Sequence, residues 1–190
     1  SQTLTVTSAS IMTVDGTLTA SVTTTATFGR GGTWSYGIVT ATGIATVNPI
    51  TGLITAIGVG EVTLTVASSG DADYNPATTQ QLITIGKATP VLTVTSSSLI
   101  LLNTSLTATV STTATSGRGG TFSYNIGGGS GSATVDSNGL ISATAVGSVT
   151  LVVTSSGDTN YNPATTSQGI TIATFSVSNS ATLAEGQTGA

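Results

Sequence analysis

The sequence predicts an all-β protein made of two consecutive sandwiches, and three observations carry that expectation. Apolar and hydroxyl side chains alternate along most of the chain, as in Leu4-Thr5-Val6-Thr7, Val62-Thr63-Leu64-Thr65-Val66 and Leu82-Ile83-Thr84-Ile85. A period of two sends them to opposite faces of a strand, and the branched Cβ of threonine suits a pleated surface while leaving the wet face uncharged. No window carries a helical period of useful length. The chain is also written nearly twice. Gly29-Arg30-Gly31-Gly32-Thr33-Trp34-Ser35-Tyr36 returns 88 positions later as Gly117-Arg118-Gly119-Gly120-Thr121-Phe122-Ser123-Tyr124, and Tyr74-Asn75-Pro76-Ala77-Thr78-Thr79 returns 87 positions later as Tyr161-Asn162-Pro163-Ala164-Thr165-Thr166. The lost residue lies in a turn, where Val47-Asn48-Pro49-Ile50-Thr51-Gly52-Leu53 has become Val135-Asp136-Ser137-Asn138-Gly139-Leu140. Such a period is too long for a solenoid unit and fits a small domain with its own core.

Turn signals divide each repeat into about seven strands. In the first they fall near 4–6, 17–23, 33–37, 44–47, 53–56, 62–68 and 80–85; in the second near 92–94, 105–111, 121–126, 133–135, 140–143, 149–155 and 168–172. Seven short strands with turns about every 8–12 residues point to an immunoglobulin-like sandwich, with Trp34 or Phe122 of the third strand as the expected aromatic between the sheets. The organisation expected is one sandwich over 1–86, a linker over 87–91, a second sandwich over 92–173 and a terminal strand or tail over 174–190. Pro90 restricts both its own φ and Thr89, so the linker reads as a stiff spacer that favours a rod.

Composition excludes several functions. Charged residues are 5% of the 190 and the formal net charge is −4. With Arg30, Lys87 and Arg118 the only basic residues, the chain has no footprint for nucleic acid or an anionic membrane. Cysteine and histidine are absent, which removes disulfides, thiolate metal sites, thiol nucleophiles and histidine-based catalysis. The longest apolar run, Leu99-Ile100-Leu101-Leu102, stops at Asn103, far short of a membrane span. A nearly charge-free Thr/Ser/Gly surface leans towards an extracellular or cell-surface product. The missing initiator Met and signal peptide point to a processed chain or a piece of a longer one.

The stretches Gly16-Thr17-Leu18-Thr19-Ala20, Trp34-Ser35-Tyr36, Ala45-Thr46-Val47, Gly52-Leu53-Ile54-Thr55-Ala56 and 59–66 together resemble the bacterial Ig-like domain, group 2. The second repeat matches at 104–108, 122–124, 133–135, 139–143 and 146–153, with Thr104, Phe122 and Ser148 replacing Gly16, Trp34 and Glu61. The resemblance covers about nine tenths of the chain, and no departure weakens a core position. It implies a sandwich used in surface adhesins, invasin-like shafts, phage structural proteins and spacers of secreted enzymes. The last residues, with Phe175-Ser176-Val177-Ser178 and then Glu185-Gly186-Gln187-Thr188-Gly189, resemble the opening of a Calx-β module. They also read as a strand, through Phe175 and Val177, for donation to a neighbouring subunit.

Acid–base and nucleophilic chemistry need a poised group with a partner. Of the acids, only Asp71 keeps its identity in the other repeat, as Asp158, so no enzymatic activity is expected. The loop 69–76 and its counterpart 156–163 are oxygen-rich, which makes Asp71, Asp73 and Asp158 candidate calcium ligands. Both loops lack the closing bidentate Glu and the spacing of an EF-hand. The reading adopted is a hairpin loop ordered by Asx turns, the tyrosine (Tyr74 or Tyr161) and proline, with no cofactor. In an immunoglobulin-like topology this loop shares a pole with the loop carrying Arg30 or Arg118. An Arg–Asp contact is therefore expected at the upstream pole of each repeat: Arg30 with Asp71, Arg118 with Asp158. In the second repeat that pole should abut the residues around Lys87. Asn103-Thr104-Ser105 is the one N-glycosylation sequon.

The function expected is a non-enzymatic structural protein, part of a bacterial or archaeal filament, rod or adhesin shaft. Its partners would be further repeats or copies of itself, with the C-terminal strand as one means of assembly. The alternative is a carbohydrate- or host-surface-binding module, which a solvent-accessible Trp34 beside a groove would favour.

Overall fold

A computed structural model describes residues 1–27, 30–115 and 119–176. It contains no helix among them, and the strand order repeats. The first repeat carries β1 (Leu4–Val6), β2 (Ile11–Thr13), β3 (Thr17–Thr19), β4 (Val22–Thr24), β5 (Trp34–Thr40), β6 (Ile44–Val47), β7 (Leu53–Gly58), β8 (Gly60–Ser68) and β9 (Ala77–Gly86). The second carries β10 (Leu92–Val94), β11 (Leu99–Leu101), β12 (Ser105–Thr107), β13 (Val110–Thr112), β14 (Phe122–Gly127), β15 (Ser132–Val135), β16 (Leu140–Ala145), β17 (Gly147–Ser155) and β18 (Ala164–Ala173).

In the first repeat one sheet runs β2-β9-β8-β5 and the other β3-β7-β6, with β1 paired to β4. The second repeat gives β11-β18-β17-β14, β12-β16-β15 and β10-β13. The long central pair β8 and β9 is antiparallel, from Gly60↔Ile85 to Ser68↔Ala77. By contrast β2 lies parallel to β9, Met12 opposite Ile85, as β11 lies parallel to β18, Ile100 opposite Ile172. A first strand that pairs with the second at one end and then crosses to run parallel to the last is an immunoglobulin-like arrangement. Each repeat is an all-β immunoglobulin-like sandwich.

Each repeat has nine strand segments among the described residues, where about seven were expected. The first strand is split because it changes sheets between β1 and β2. The second is split at Ala20, which turns inward and is buried. Three-residue β2 and β11 are too short to show alternation, so their sequence carries no strand signal.

The alternation becomes burial in β8, where Val62, Leu64 and Val66 are fully enclosed between threonines. They meet Ile54, Ile83 and Ile85 in the core of the first repeat. Ile141, Leu151, Val153, Ile170 and Ile172 are the corresponding buried side chains of the second. Each aliphatic side chain of this kind contributes about 1.5–3 kcal/mol by leaving water. The chain falls into two compact units. The first comprises Ser1–Thr93 with the described parts of Ser111–Phe122 and Thr154–Thr165. The second comprises Val94–Val110, Ser123–Val153 and the described residues from Thr166 on. The first unit thus takes in loops that the repeat pattern assigns to the second copy.

Candidate functional site

The upstream pole of the first repeat is built from two loops pressed together through glycine. Gly32 sits at φ +86, and a Cβ there would fall 2.2 Å from the Gly70 carbonyl oxygen. Only glycine allows both that backbone conformation and that approach, which accounts for the repeated Gly-Gly. The Thr33 N–H donates to Ser69 Oγ at 3.0 Å, and the Ser69 N–H to the Thr33 carbonyl at 2.9 Å. Beneath them lies buried Gln2. Its amide donates to the Gly31 carbonyl and to Ser68 Oγ, both at 2.9 Å, and to the Asn75 carbonyl at 3.2 Å, while its Oε1 accepts from the Thr24 hydroxyl. Nothing in the sequence singles out Gln2, whose counterpart in the second repeat is Pro90.

Asp71 organises the longer loop. Its Oδ1 accepts from the N–H groups of Asp73 and Tyr74, each at 2.9 Å, and its Oδ2 accepts from the Gly31 N–H at 2.6 Å. The Gly31 bond first, then that from Asp73, with further help from Tyr74 and the Arg30 charge, hold its carboxyl below the ordinary value of 3.8 against some desolvation. Asp158 repeats the pattern, accepting from the N–H groups of Gly119, Asn160 and Tyr161. These are Asx turns closing a hairpin loop.

The expected Arg30–Asp71 pair is corrected. Arg30 forms its ion pair with Asp73 instead, and both side chains are more than half exposed. The reason is local, since the oxygens of Asp71 are already engaged by main-chain donors. An exposed pair of this kind contributes little to stability. Arg118, and with it the Arg118–Asp158 expectation, lies outside the described residues. For calcium, the candidate ligands Asp71 and Asp158 face N–H groups and Asp73 faces a guanidinium. No cluster of three or more His, Cys, Asp or Glu suited to a metal ion occurs among the described residues.

The two loop tyrosines differ in setting. The Tyr74 hydroxyl contacts the Thr27 N–H and hydroxyl at 3.2 and 3.1 Å, and its ring is half-buried. Those bonds, the hydroxyl's foremost, hold the phenol below its ordinary value. Tyr161 keeps the same neighbours, Thr115 N–H at 3.1 Å and its hydroxyl at 3.3 Å, but is only 1% exposed. It sits inside the first unit, in the core cluster that also holds Val14 and against which Val59 and Ala88 pack, and its hydroxyl donates to the carboxylate of Asp15. Asp15 also accepts from the Thr115 hydroxyl at 2.9 Å. Around this plug, the Val59 N–H donates to Asn160 Oδ1 at 3.0 Å and the Ala88 N–H to the Asn160 carbonyl at 3.0 Å. The Asn162 N–H donates to the Ala88 carbonyl at 2.8 Å, and Lys87 Nζ to the Asp158 carbonyl at 2.6 Å. Asp15 carried no signal in the sequence as a partner of Tyr161; its positive φ of 63°, shared with Asn103, marks the turn that presents it.

The expectation of Trp34 or Phe122 as the inter-sheet core residue is also corrected. Both are half-buried, and the core is closed by aliphatic side chains and by Tyr36 packing against them. Trp34 instead lines an open cleft of about 510 Å³ with Arg30, Thr27, Ala26, Thr24 and Val22. Asn103 is exposed, Phe175 is 77% exposed, and Val177 lies outside the described residues. No helix among the described residues is long and apolar enough to cross a membrane.

No protein-family model matches the chain, and no curated protein does. Among solved structures it is similar to a SusE-like surface-located polysaccharide-binding protein from the Bacteroides thetaiotaomicron heparin utilisation locus. That match covers 93% of this chain at 13% identity with a TM-score of 0.38, and the chain spans 35% of that protein's length. Fibronectin(III)-like modules of Clostridium thermocellum CbhA match over 90% of this chain and 94% of theirs, at 14% identity and TM-score 0.32. A C-terminal intimin fragment in complex with the intimin-binding domain of its receptor matches over 88% and 63%, at 14% identity and TM-score 0.33. Likenesses this distant carry no inference about what the chain does; the fold assignment rests on its own strand order.

Proposed function

We propose that this chain is a non-enzymatic extracellular structural protein, two tandem domains of the group 2 bacterial Ig-like kind that form part of a surface filament, rod or adhesin shaft. The domain limits proposed are 1–86 and 92–173, joined by 87–91, with further repeats or the segment from Thr174 on continuing the assembly. One observation supports this best: Tyr161, from the second copy's loop, is seated in the core cluster of the first unit and bonded to Asp15. A loop residue used as a plug is the construction expected of a protein whose task is to transmit force. Electron microscopy of native cell-surface material labelled with antibody to this chain tests the reading. Label along filaments or surface shafts supports it, and label confined to the cytoplasm or to detached globular particles sinks it.

Trp34 favours a second reading, a carbohydrate-binding module. An indole on an open cleft beside Arg30, Thr24 and Thr27 offers a stacking face flanked by hydroxyl and guanidinium donors. Trp34 is the only tryptophan, so its fluorescence reports the cleft directly. Saturable quenching by neutral oligosaccharides, lost in Trp34→Ala, would establish this reading; a flat titration across β- and α-linked glucans and mannans removes it.

A further inference from the structure

The two tyrosine loops are copies in different settings, and the difference identifies a surface. In the first unit the plug Tyr161 is received by a socket at the downstream pole of the first repeat: Asp15 on its positive-φ turn, with Val14, Val59 and Ala88. Tyr74 is the same plug, held by the same two threonine contacts through Thr27, with no carboxylate on its hydroxyl among the described contacts. The second repeat has corresponding residues at its own downstream pole. Asn103 stands where Asp15 stands, at the same φ of 63°. Leu102, Val146 and Phe175 occupy the positions of Val14, Val59 and Ala88. Burial separates the occupied socket from the open one: Val14 is 2% exposed, whereas Leu102 is half-buried, Val146 48% exposed and Phe175 77% exposed. The chain thus carries a plug residue in one loop and, in the second repeat, exposed counterparts of the residues that receive its copy.

We propose that a second copy of this chain docks head to tail, the Tyr74 loop of one copy entering the socket formed by Leu102, Asn103 and Val146 of the next. The occupant is a second copy because, among the described residues, the receiver that the structure displays for this loop is the downstream pole of a repeat, and the corresponding Val146 and Phe175 of the second repeat are exposed. In the docked pair the Tyr74 hydroxyl donates to Asn103 Oδ1, as Tyr161 donates to Asp15. Asp73 takes the place of Asn160, whose side-chain oxygen accepts from the Val59 N–H. The corresponding donor is the Val146 N–H, so Asp73 exchanges part of its pairing with Arg30 for a main-chain bond. The amide at position 103 removes the charge from the acceptor, which makes this contact weaker than the one inside the chain. The inference rests on the shaft reading and specifies how one chain follows another.

The test is sedentation-velocity and equilibrium ultracentrifugation of the full 190-residue chain and four preparations derived from it, with circular dichroism to establish folding. The wild type is expected to self-associate with rising concentration. Tyr74→Ser and, separately, Val146→Asp should each weaken association by about tenfold or more, the loss typical of a central aromatic anchor. Each variant retains one intact face, so an equimolar mixture of the two should form heterodimers and nothing longer. Asn103→Asp, which recreates the acceptor seen at Asp15, should tighten association about three- to tenfold. A wild type that stays monomeric to about 1 mM overturns the proposal. So does association that survives both single substitutions, which would place the contact on a sheet edge or the C-terminal strand. Neither result bears on whether label follows surface shafts, so the docking and the shaft reading fail separately.

Discussion

Asp71 shows how one carboxylate can define a loop. Three main-chain N–H groups converge on it, and they favour its charged form. Because its folded value lies below the unfolded one, its contribution is present in full above about pH 4 and is lost as pH falls through the lowered folded value. Stability should therefore decline on the acid side in the wild type. Asp71→Asn, which has no such proton to bind, should show a flatter curve below pH 4 in urea titrations run across pH. The tyrosines permit a sharper comparison. Tyr161→Ala removes a ring that is 1% exposed and is expected to cost about 3–5 kcal/mol, as for other buried aromatics. Tyr74→Ala, at the half-exposed copy, should cost less than about 1 kcal/mol in the same denaturation experiment on dilute protein. Equal losses would show that the two loops are not in the different settings described.

At the scale of elements, the edges are the exposed feature. β2 and β11 close one side of their sheets, and Ile11 and Leu99 on them are 73% and 52% exposed. Neither lysine nor proline guards these strands, the devices by which edges usually avoid pairing with other chains. Ile11→Lys combined with Leu99→Lys should reduce light scattering on prolonged incubation while shifting the unfolding free energy by no more than about 0.5 kcal/mol. Strands of this sort also mark the limit of what the residues reveal beforehand. Long segments such as β8 and β9 advertise themselves, because the alternation of Val62-Thr63-Leu64-Thr65-Val66 and of Ile83-Thr84-Ile85 has one explanation. Three-residue β2 has none, since its place is decided by the partner Thr84-Ile85-Gly86 that lies far along the chain. The Arg30 pairing failed for a related reason. Charge complementarity nominated Asp71, but main-chain donors outcompete a guanidinium for a carboxylate at the apex of an Asx turn. Gln2 and Asp15 were illegible because each works through residues distant in sequence, and Trp34 because a strand's first residue can face a cleft as easily as a core.

For the molecule as a whole, scarcity of charge is the governing property. Of its three basic residues, Arg30 is paired with Asp73 and Lys87 is directed at the Asp158 carbonyl. With a formal net charge of −4, there is no cationic field to gather polyanions. The chain is expected to pass through a heparin column at pH 7 and physiological salt without retardation, and retention there would overturn this account of its surface. Any saccharide recognised at Trp34 would accordingly be neutral. The same scarcity bears on self-association: a contact built from a phenol, an amide and aliphatic side chains should respond little to salt between low and physiological ionic strength.

Asn103 carries one more consequence. It is exposed on its turn and begins the tripeptide Asn103-Thr104-Ser105, so the side-chain amide whose Oδ1 would receive a neighbour's phenol is also the one whose Nδ2 a glycosyltransferase would modify. A sugar and a docked chain cannot share that amide. In the assembly proposed, the proportion of molecules bearing glycan would act as a terminator, fixing average polymer length without any separate capping protein.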